Sequence, residues 1–251
     1  MIAPSVAVIC VLALWQLVVG IGLLNEDHIP TMTATVAELA ELFGDSSFWS
    51  AVGNTLQGWA LGLGIAAVLA IPLGILVGSS PVVYRSVRFV VEFLRPIPSV
   101  ALVPLAVLIY GVGLESKVFL AAFASFWPLF VQTLYGVQDV DPVATDTARS
   151  FGLGRFERLW RITLPSAVPY IATGLRISSA VALILAVTAE IVIGSAGLGR
   201  EINVARSSGA IELMYALIIT TGLLGYMLNI VTTQAERRVL HWHPSHRRAA
   251  A

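Results

Sequence analysis

The chain carries little charge. Only 12% of its 251 residues are Asp, Glu, Lys or Arg, roughly half of what a soluble domain carries. It has one cysteine, Cys10, and one lysine, Lys117. A lone cysteine excludes an intramolecular disulfide, and the VAVI before Cys10 lacks the small residue expected ahead of a lipidated cysteine. A phosphate-cradling loop of the form GxxxxGK[ST] needs a lysine directly after glycine. Lys117 follows Ser116, so this chain cannot hold ATP in that way. The C-terminal HWHPSHRR offers His241, His243 and His246 with no cysteine or carboxylate close by, and reads as a solvated tail and not a metal site. No Ser/His/Asp set or pair of carboxylates suggests catalysis. The expectation is a chain with no catalytic residue and no metal.

What is abundant is apolar surface, at 57% of residues. A soluble fold of this length could not hide it, so lipid must be the solvent for most of the chain. Each crossing of about 30 Å of hydrocarbon needs about 20 mostly apolar residues. Backbone polar groups in lipid force such a crossing to be helical or part of a closed barrel, and these runs are too long for barrel strands. The hydropathy predicts an all-α integral membrane protein with spans near 4–24, 52–77, 96–112, 118–135, 167–192 and 210–233, forming one domain over 1–251 with its core at 52–235. Gly111, Gly113 and Glu115 predict a tight hairpin between the third and fourth spans. Gly58 to Gly62 and Gly74 to Gly78 are GxxxG pairs, which let helices approach closely and read as scaffold. TATVAELAELFG, after the first span, has helical periodicity and predicts a short surface helix.

Lys and Arg are enriched in cytoplasmic loops. One set of segments holds Arg85, Arg88 and Arg95, then Arg149, Arg155, Arg158 and Arg161, then Arg237, Arg238, Arg247 and Arg248; the other keeps only Lys117, Arg200 and Arg206. The loop over 25–50 has no basic residue and carries Glu26, Asp27, Glu38, Glu41 and Asp45. Both termini are therefore expected in the cytoplasm.

Residues 139–169 form a charged island between two apolar runs. Asp141 followed by Pro142 predicts an N-cap with proline at the first helical position, VATDTARS continues as helix, and Gly152 supplies a left-handed stop. After Gly154, Arg155, Arg158 and Arg161 recur at helical spacing, with Phe156, Leu159, Trp160 and Thr163 on the other side. Pro165 and Pro169 are expected to break the chain before the fifth span.

Within the island, Asp146-Thr147-Ala148, then Gly152, then Ile162-Thr163-Leu164-Pro165 resemble the EAA motif of ABC importer permeases, with the nine-residue interval between Gly152 and Ile162 kept. Asp146 stands for the motif's Glu, and Thr147 for its first Ala. NTLQGWALG from Asn54, IPLGILVG from Ile71, LRPIPSVALVPL from Leu94, LPSAVPYIATGLRIS from Leu164 and AEIVIGSAGLG from Ala189 are similar to the permeases of the nitrate, sulfonate and taurine importers. The resemblance implies a type I ABC importer permease fold of about six transmembrane helices with a cytoplasmic coupling loop at 136–166. It implies a multi-pass protein of a prokaryotic inner membrane that moves a small solute by alternating access. The implied partners are a cytoplasmic ATPase dimer that binds ATP and Mg, an extracytoplasmic solute-binding protein, a second permease copy and membrane lipid, with no nucleic acid. It places ATPase coupling on Asp146, Ala148 and Gly152, and by position on Thr145, Ser150 and Leu153. Much selectivity in such importers resides in the binding protein, so nitrate, sulfonates, taurine, bicarbonate and pyrimidine-type precursors all stay open.

Four further residues are candidates for the pathway or a gate. Pro98 and Pro104, with Pro96, interrupt the third span, where an unsatisfied backbone is tolerated only beside neighbours or a cavity. Arg176 and Glu190 are ionisable residues in or near the fifth span. About 21 Å of helix separates them, so they cannot pair with each other. Arg176 reads as reaching the interface; Glu190 reads as a gate, an interhelical contact or a substrate contact. The alternative of a stand-alone secondary transporter or channel would bring inverted repeats or several intramembrane charges, which this sequence does not display.

Overall fold

The computed structural model describes residues 2–25 and 28–240. Glu26, Asp27, the C-terminal histidines His241, His243 and His246, and Arg247 and Arg248 lie outside the described residues. The described chain is helical almost throughout: α1 (Ile2–Gly20), α2 (Met32–Leu42), α3 (Ser46–Gly78), α4 (Pro81–Leu94), a 3-10 turn (Ser99–Leu102) running into α5 (Val103–Tyr110), α6 (Leu114–Gln138), α7 (Pro142–Ser150), α8 (Arg155–Arg158) joined by a π-helical turn (Leu159–Thr163) to α9 (Leu164–Ile193), α10 (Leu198–Ser208) and α11 (Ile211–Val239).

The core is α6 held between α3 and α9. α3 buries one stripe of small residues, Ala51, Thr55, Gly58, Gly62, Ala66, Ala70 and Gly74. A Cβ added at Gly58 would meet Lys117, at Gly62 Ala121, at Gly74 Thr133 and at Gly78 Val137, each within 2.9 Å. The four pairs advance together along both helices, so α3 and α6 run parallel. Without a hydrophobic drive inside lipid, such close backbone approach is what holds helices together. The GxxxG pairs are thus scaffold. α6 and α9 run antiparallel: Gly136 faces Tyr170, Gly174 faces Gln132 and Leu129, and Ser178 Oγ donates to Ser125 O at 2.7 Å. Trp59 Nε1 closes the triangle by donating to Ser179 O at 3.0 Å.

Four helical stretches, Ser46–Gly78, Leu114–Gln138, Arg155–Ile193 and Ile211–Val239, are long and apolar enough to cross a membrane, and α4 with Ser99–Tyr110 makes a fifth if that pair, bent by 81°, is one span. The third expected span is therefore not a simple crossing helix. Its four-residue turn and eight-residue α5 rise about 20 Å, short of the hydrocarbon thickness. The first expected span falls on α1, which is not among the four stretches: its apolar part, Ile9–Gly20, is shorter. The hairpin at Gly111 is present: the glycine ends α5 at φ 76°, and Ser116 Oγ reaches the carbonyls of Ala106 and Gly111 at 3.0 and 2.5 Å. The expected surface helix is α2, capped by Thr31.

One expectation fails. Pro165 and Pro169 do not break the chain, because the helix runs unbroken from Arg155 to Ile193. The π-helical turn accounts for Pro165: Leu164 N–H bonds to Leu159 O, five residues back, so the ladder is already re-registered where Pro165 can give no donor, and Pro169 lies within α9 itself.

The seam gives a direct test. Gly62→Val drives its Cβ into Ala121 and is expected to cost at least about 1–3 kcal/mol of stability, read as a lower melting temperature of the purified protein in detergent. Gly64→Ala, where an added Cβ meets nothing within 4 Å, is expected to match or exceed the wild type.

Candidate functional site

Three features of the bundle carry polar chemistry, and local rules build the first. Asp141 accepts from Val143 N at 2.8 Å and caps α7, with Pro142 at its start. At the other end Leu153 N donates to Ala148 O and Gly152 N to Arg149 O, at 3.0 and 2.9 Å, with Gly152 at φ 80°. That is a Schellman closure, in which the left-handed residue follows the cap. Ala148 is buried and Leu153 half-buried, whereas Asp146, Ser150 and Gly152 are exposed. Asp146 pairs with Arg149 at 3.2 Å, Ser150 Oγ donates to Asp146 O and Thr145 Oγ1 to Asp141 O. Val143 and Phe151 flank this face, 71% and 80% exposed. All six residues assigned to coupling thus sit on α7 and its closing turn.

The second feature is a groove along one face of α6 and α9. At the α7 end it widens to an open cavity of about 790 Å³ lined by Asp139, Arg161, Ser166, Tyr170 and Thr173, where the Tyr170 hydroxyl donates to Asp139. Gln132 also lines the next cavity, of about 550 Å³, which continues past Arg95, Ser99 and Trp127 to Val181 and Leu185. Gln132 lines both, so the two cavities adjoin and are together called the trough. It turns from polar to apolar with distance from α7.

The third feature, at the opposite end of α6, is a buried charge network that Lys117, read from sequence as a loop residue, enters at 1% exposure. Its ammonium donates to Glu190 Oε1, Asn54 O and Ala196 O, each at 2.9 Å. Those three bonds use every donor it has. Glu190, 0% exposed, also accepts from Thr55 Oγ1 and Gly199 N on Oε2, both at 2.9 Å. Thr55 Oγ1 in turn accepts from Leu198 N at 2.9 Å. Leu198 and Gly199 are the first residues of α10, whose opening amides have no partner within their own helix. Glu190 and Thr55 therefore cap α10 from outside.

Of the four pathway candidates, Pro98 lines the trough and Pro104 lies in the first turn of α5. Arg176 faces away from it, between α9 and α11, 3.4 Å from Glu236 Oε2, close enough for an ion pair but without hydrogen-bond alignment. Glu190 is the interhelical contact. The missed signal is Lys117, the chain's one lysine, which opens a span and meets Glu190 from another helix, beyond the reach of spacing along the fifth span.

The sequence pattern of the family described as "Binding-protein-dependent transport system inner membrane component" matches residues 70–241. The taurine transport system permease protein TauC of Escherichia coli strain K12 is 31% identical over 92% of this chain and 86% of its own length. The nitrate import permease protein NrtB of Synechocystis is 30% identical over 91% and 85%. The putative aliphatic sulfonates transport permease protein SsuC of Bacillus subtilis is 28% identical over 94% and 86%. Among solved structures, inward-facing MetNI methionine ABC transporter aligns at a TM-score of 0.66 with 18% identity, over 77% of this chain and 96% of that one. An amino acid ABC transporter with histidines aligns at 0.67 with 20% identity, over 80% and 97%.

The network makes its own test. Lys117→Met leaves Glu190 buried without its cation and is expected to destabilise the protein by about 3–5 kcal/mol. Lys117→Met with Glu190→Gln is expected to recover much of that loss, measured by thermal unfolding in detergent.

Proposed function

Since the chain belongs to the family of binding-protein-dependent transport system inner membrane components, as the permease subunit of an ABC importer, we propose that it works as one of two identical copies around a shared solute pathway. The chain itself is non-catalytic. A partner ATPase dimer, binding ATP and Mg, hydrolyses the nucleotide on the cytoplasmic side, and an extracytoplasmic solute-binding protein delivers the solute. The arginine distribution supports the orientation in which α7 and both termini face the cytoplasm. The names of the relatives support a small solute bearing an oxyanion group, such as a sulfonate, taurine or nitrate.

The observation that carries the coupling assignment is α7 itself: nine residues capped at both ends, placed in the chain between the two helices that line the trough. A partner that moves α7 moves the C-terminal end of α6 and the N-terminal end of α8 and α9 together. Thr145, Asp146, Ala148, Ser150, Gly152 and Leu153 form the coupling element, buried Ala148 and half-buried Thr145 and Leu153 supporting Asp146, Ser150 and Gly152 at the surface. The trough is the half-pathway this chain contributes. Shifting a two-state transporter from 1:99 to 99:1 takes about 5.5 kcal/mol of differential interaction, so α7 must transmit force without unwinding.

Gly152→Val places a β-branched side chain at positive φ, at a cost of about 1–3 kcal/mol. It is expected to weaken co-purification with the cognate ATPase by roughly tenfold and to abolish uptake, with membrane insertion preserved. Gly154→Ala, at φ −65° in extended backbone with open space at its Cβ, is expected to leave both unchanged. If Gly152→Val assembles and transports normally, α7 is not the coupling element.

A further inference from the structure

The joint between α6 and α7 is tied to α9 by a side chain outside the six coupling residues. Asp139 caps the C-terminal end of α6, its N–H bonded to Tyr135 O, and Asp141 opens α7 two residues on. Opposite this joint stands Tyr170 of α9, whose hydroxyl donates to Asp139 Oδ2. A hydroxyl bonded to a carboxylate is charge-assisted and stronger than a neutral pair. The ring is also fixed at its root. A Cβ on Gly136 would stand 2.6 Å from Tyr170 Cβ and 3.2 Å from Ala167 Cα, so α6 and α9 are in close contact beneath the bond.

The place of Tyr170 along α9 gives this bond its meaning. Followed along the chain, α7 reaches Tyr170 through 151–169, which holds the turn at Gly152, the π-helical turn Leu159–Thr163, Pro165 and Pro169. The helix passes through this stretch without a break, but each proline removes a ladder donor and the π-helical turn shifts the register. Helices bend at such places more readily than elsewhere. Tyr170 is the first residue beyond all four features, and α9 contains no further proline from there to Ile193. One and two turns further on, Thr173 and Ile177 line the trough. The bond to Asp139 is thus a second and shorter route from α7 to the trough wall, and it bypasses the compliant stretch.

We propose that Tyr170, through Asp139, is a positioning residue for transport: a strap that makes the α6–α7 joint and the trough-lining part of α9 move as one body. Coupling between distant sites is carried by packed side chains and hydrogen bonds of this kind. The strap rests on the permease reading and on α7 as the coupling element, and deepens both.

The test uses the purified complex of permease and cognate ATPase in proteoliposomes, with exposed Cys10 removed as Cys10→Ser and a reporter, Ile177→Cys, placed on the trough wall where the native side chain is 41% exposed. The rate at which a charged maleimide labels the reporter, with and without ATP in EDTA, reads how far bound nucleotide moves the trough and needs no transported solute. In this parent the rate is expected to change at least about fivefold on adding ATP. Tyr170→Phe keeps the ring over Gly136 and removes only the hydroxyl. It is expected to co-purify with the ATPase and to hydrolyse magnesium ATP as the parent does, with the ATP-dependent change in labelling lost. Asp139→Ala is expected to behave in the same way, and Asp139→Asn, which keeps an acceptor oxygen, to retain most of the change. Tyr170→Phe combined with Asp139→Ala is expected to be no worse than either alone, as for two groups that act through one bond. If one single variant fails to assemble, the other carries the test. A full labelling response in an assembled Tyr170→Phe or Asp139→Ala complex overturns the strap and leaves the permease reading standing. So does a loss of hydrolysis in step with the labelling response, or a failure of both variants to assemble, since either makes the pair part of the ATPase dock. A parent that assembles and hydrolyses ATP with no labelling response overturns α7 as the coupling element and the strap with it. A parent that brings down no ATPase overturns the permease reading itself.

Discussion

One buried ion pair fixes the geometry of half this protein. Lys117 and Glu190 have left water completely, and a charge so placed is tolerated only when every donor and acceptor is met. Meeting them brings four elements to one point: Asn54 and Thr55 on α3, Lys117 on α6, Glu190 on α9, and the loop and first turn of α10. The glycines nearby follow from the same demand. Gly58 must lack a Cβ for the Lys117 stem to pass, and Gly197 and Gly199 must lack one for the α10 turn to close over Glu190. Gly197, at φ 150° with Glu190 atoms 2.1 Å from where its Cβ would stand, has no substitute. Three glycines in two distant parts of the chain thus answer to one carboxylate.

That lock lies at the end of the bundle away from α7, and the contrast organises the molecule. From the lock towards α7, the seam of small residues keeps α3 and α6 in contact over their shared length, while the opposite face of α6 and α9 is left as an open trough. A protein that must change the access of a pathway without losing its fold needs one unyielding side and one free side. Close backbone packing between α3 and α6 supplies the first. In the proposed two-copy assembly the second faces the shared pathway. Because α9 is continuous with α8 and its π-helical turn, displacement of α7 is carried along a single long helix, where a proline break would have absorbed it.

What could be read from the sequence was what short-range chemistry decides. Asp141, Pro142 and Gly152 announce the two ends of α7 because caps and left-handed turns depend on a few adjacent residues, and the GxxxG spacing announces a close helix contact for the same reason. Lys117 could not be placed in this way. Its depth depends on a carboxylate 73 residues away and on a glycine in a third helix. Arg95 reads in sequence as a loop arginine, and only the fold shows it beside an 81° bend and lining the trough. Pro165 misled because the rule for proline concerns the α-helical ladder, and the preceding turn is not α-helical.

The departures from the family motif also gain a physical reading. Asp146 and Thr147, which differ from the motif, are exposed on α7, whereas Ala148 and Gly152, which match it, are respectively buried and held at positive φ. The interval between alanine and glycine is the interval the Schellman closure requires, since the carbonyl of Ala148 accepts from the residue after Gly152. The helix can form with any short polar pair at the two exposed positions, but not with a larger residue beneath it or a side chain at its stop. The matching residues therefore build α7. The differing pair lies on the exposed face of α7.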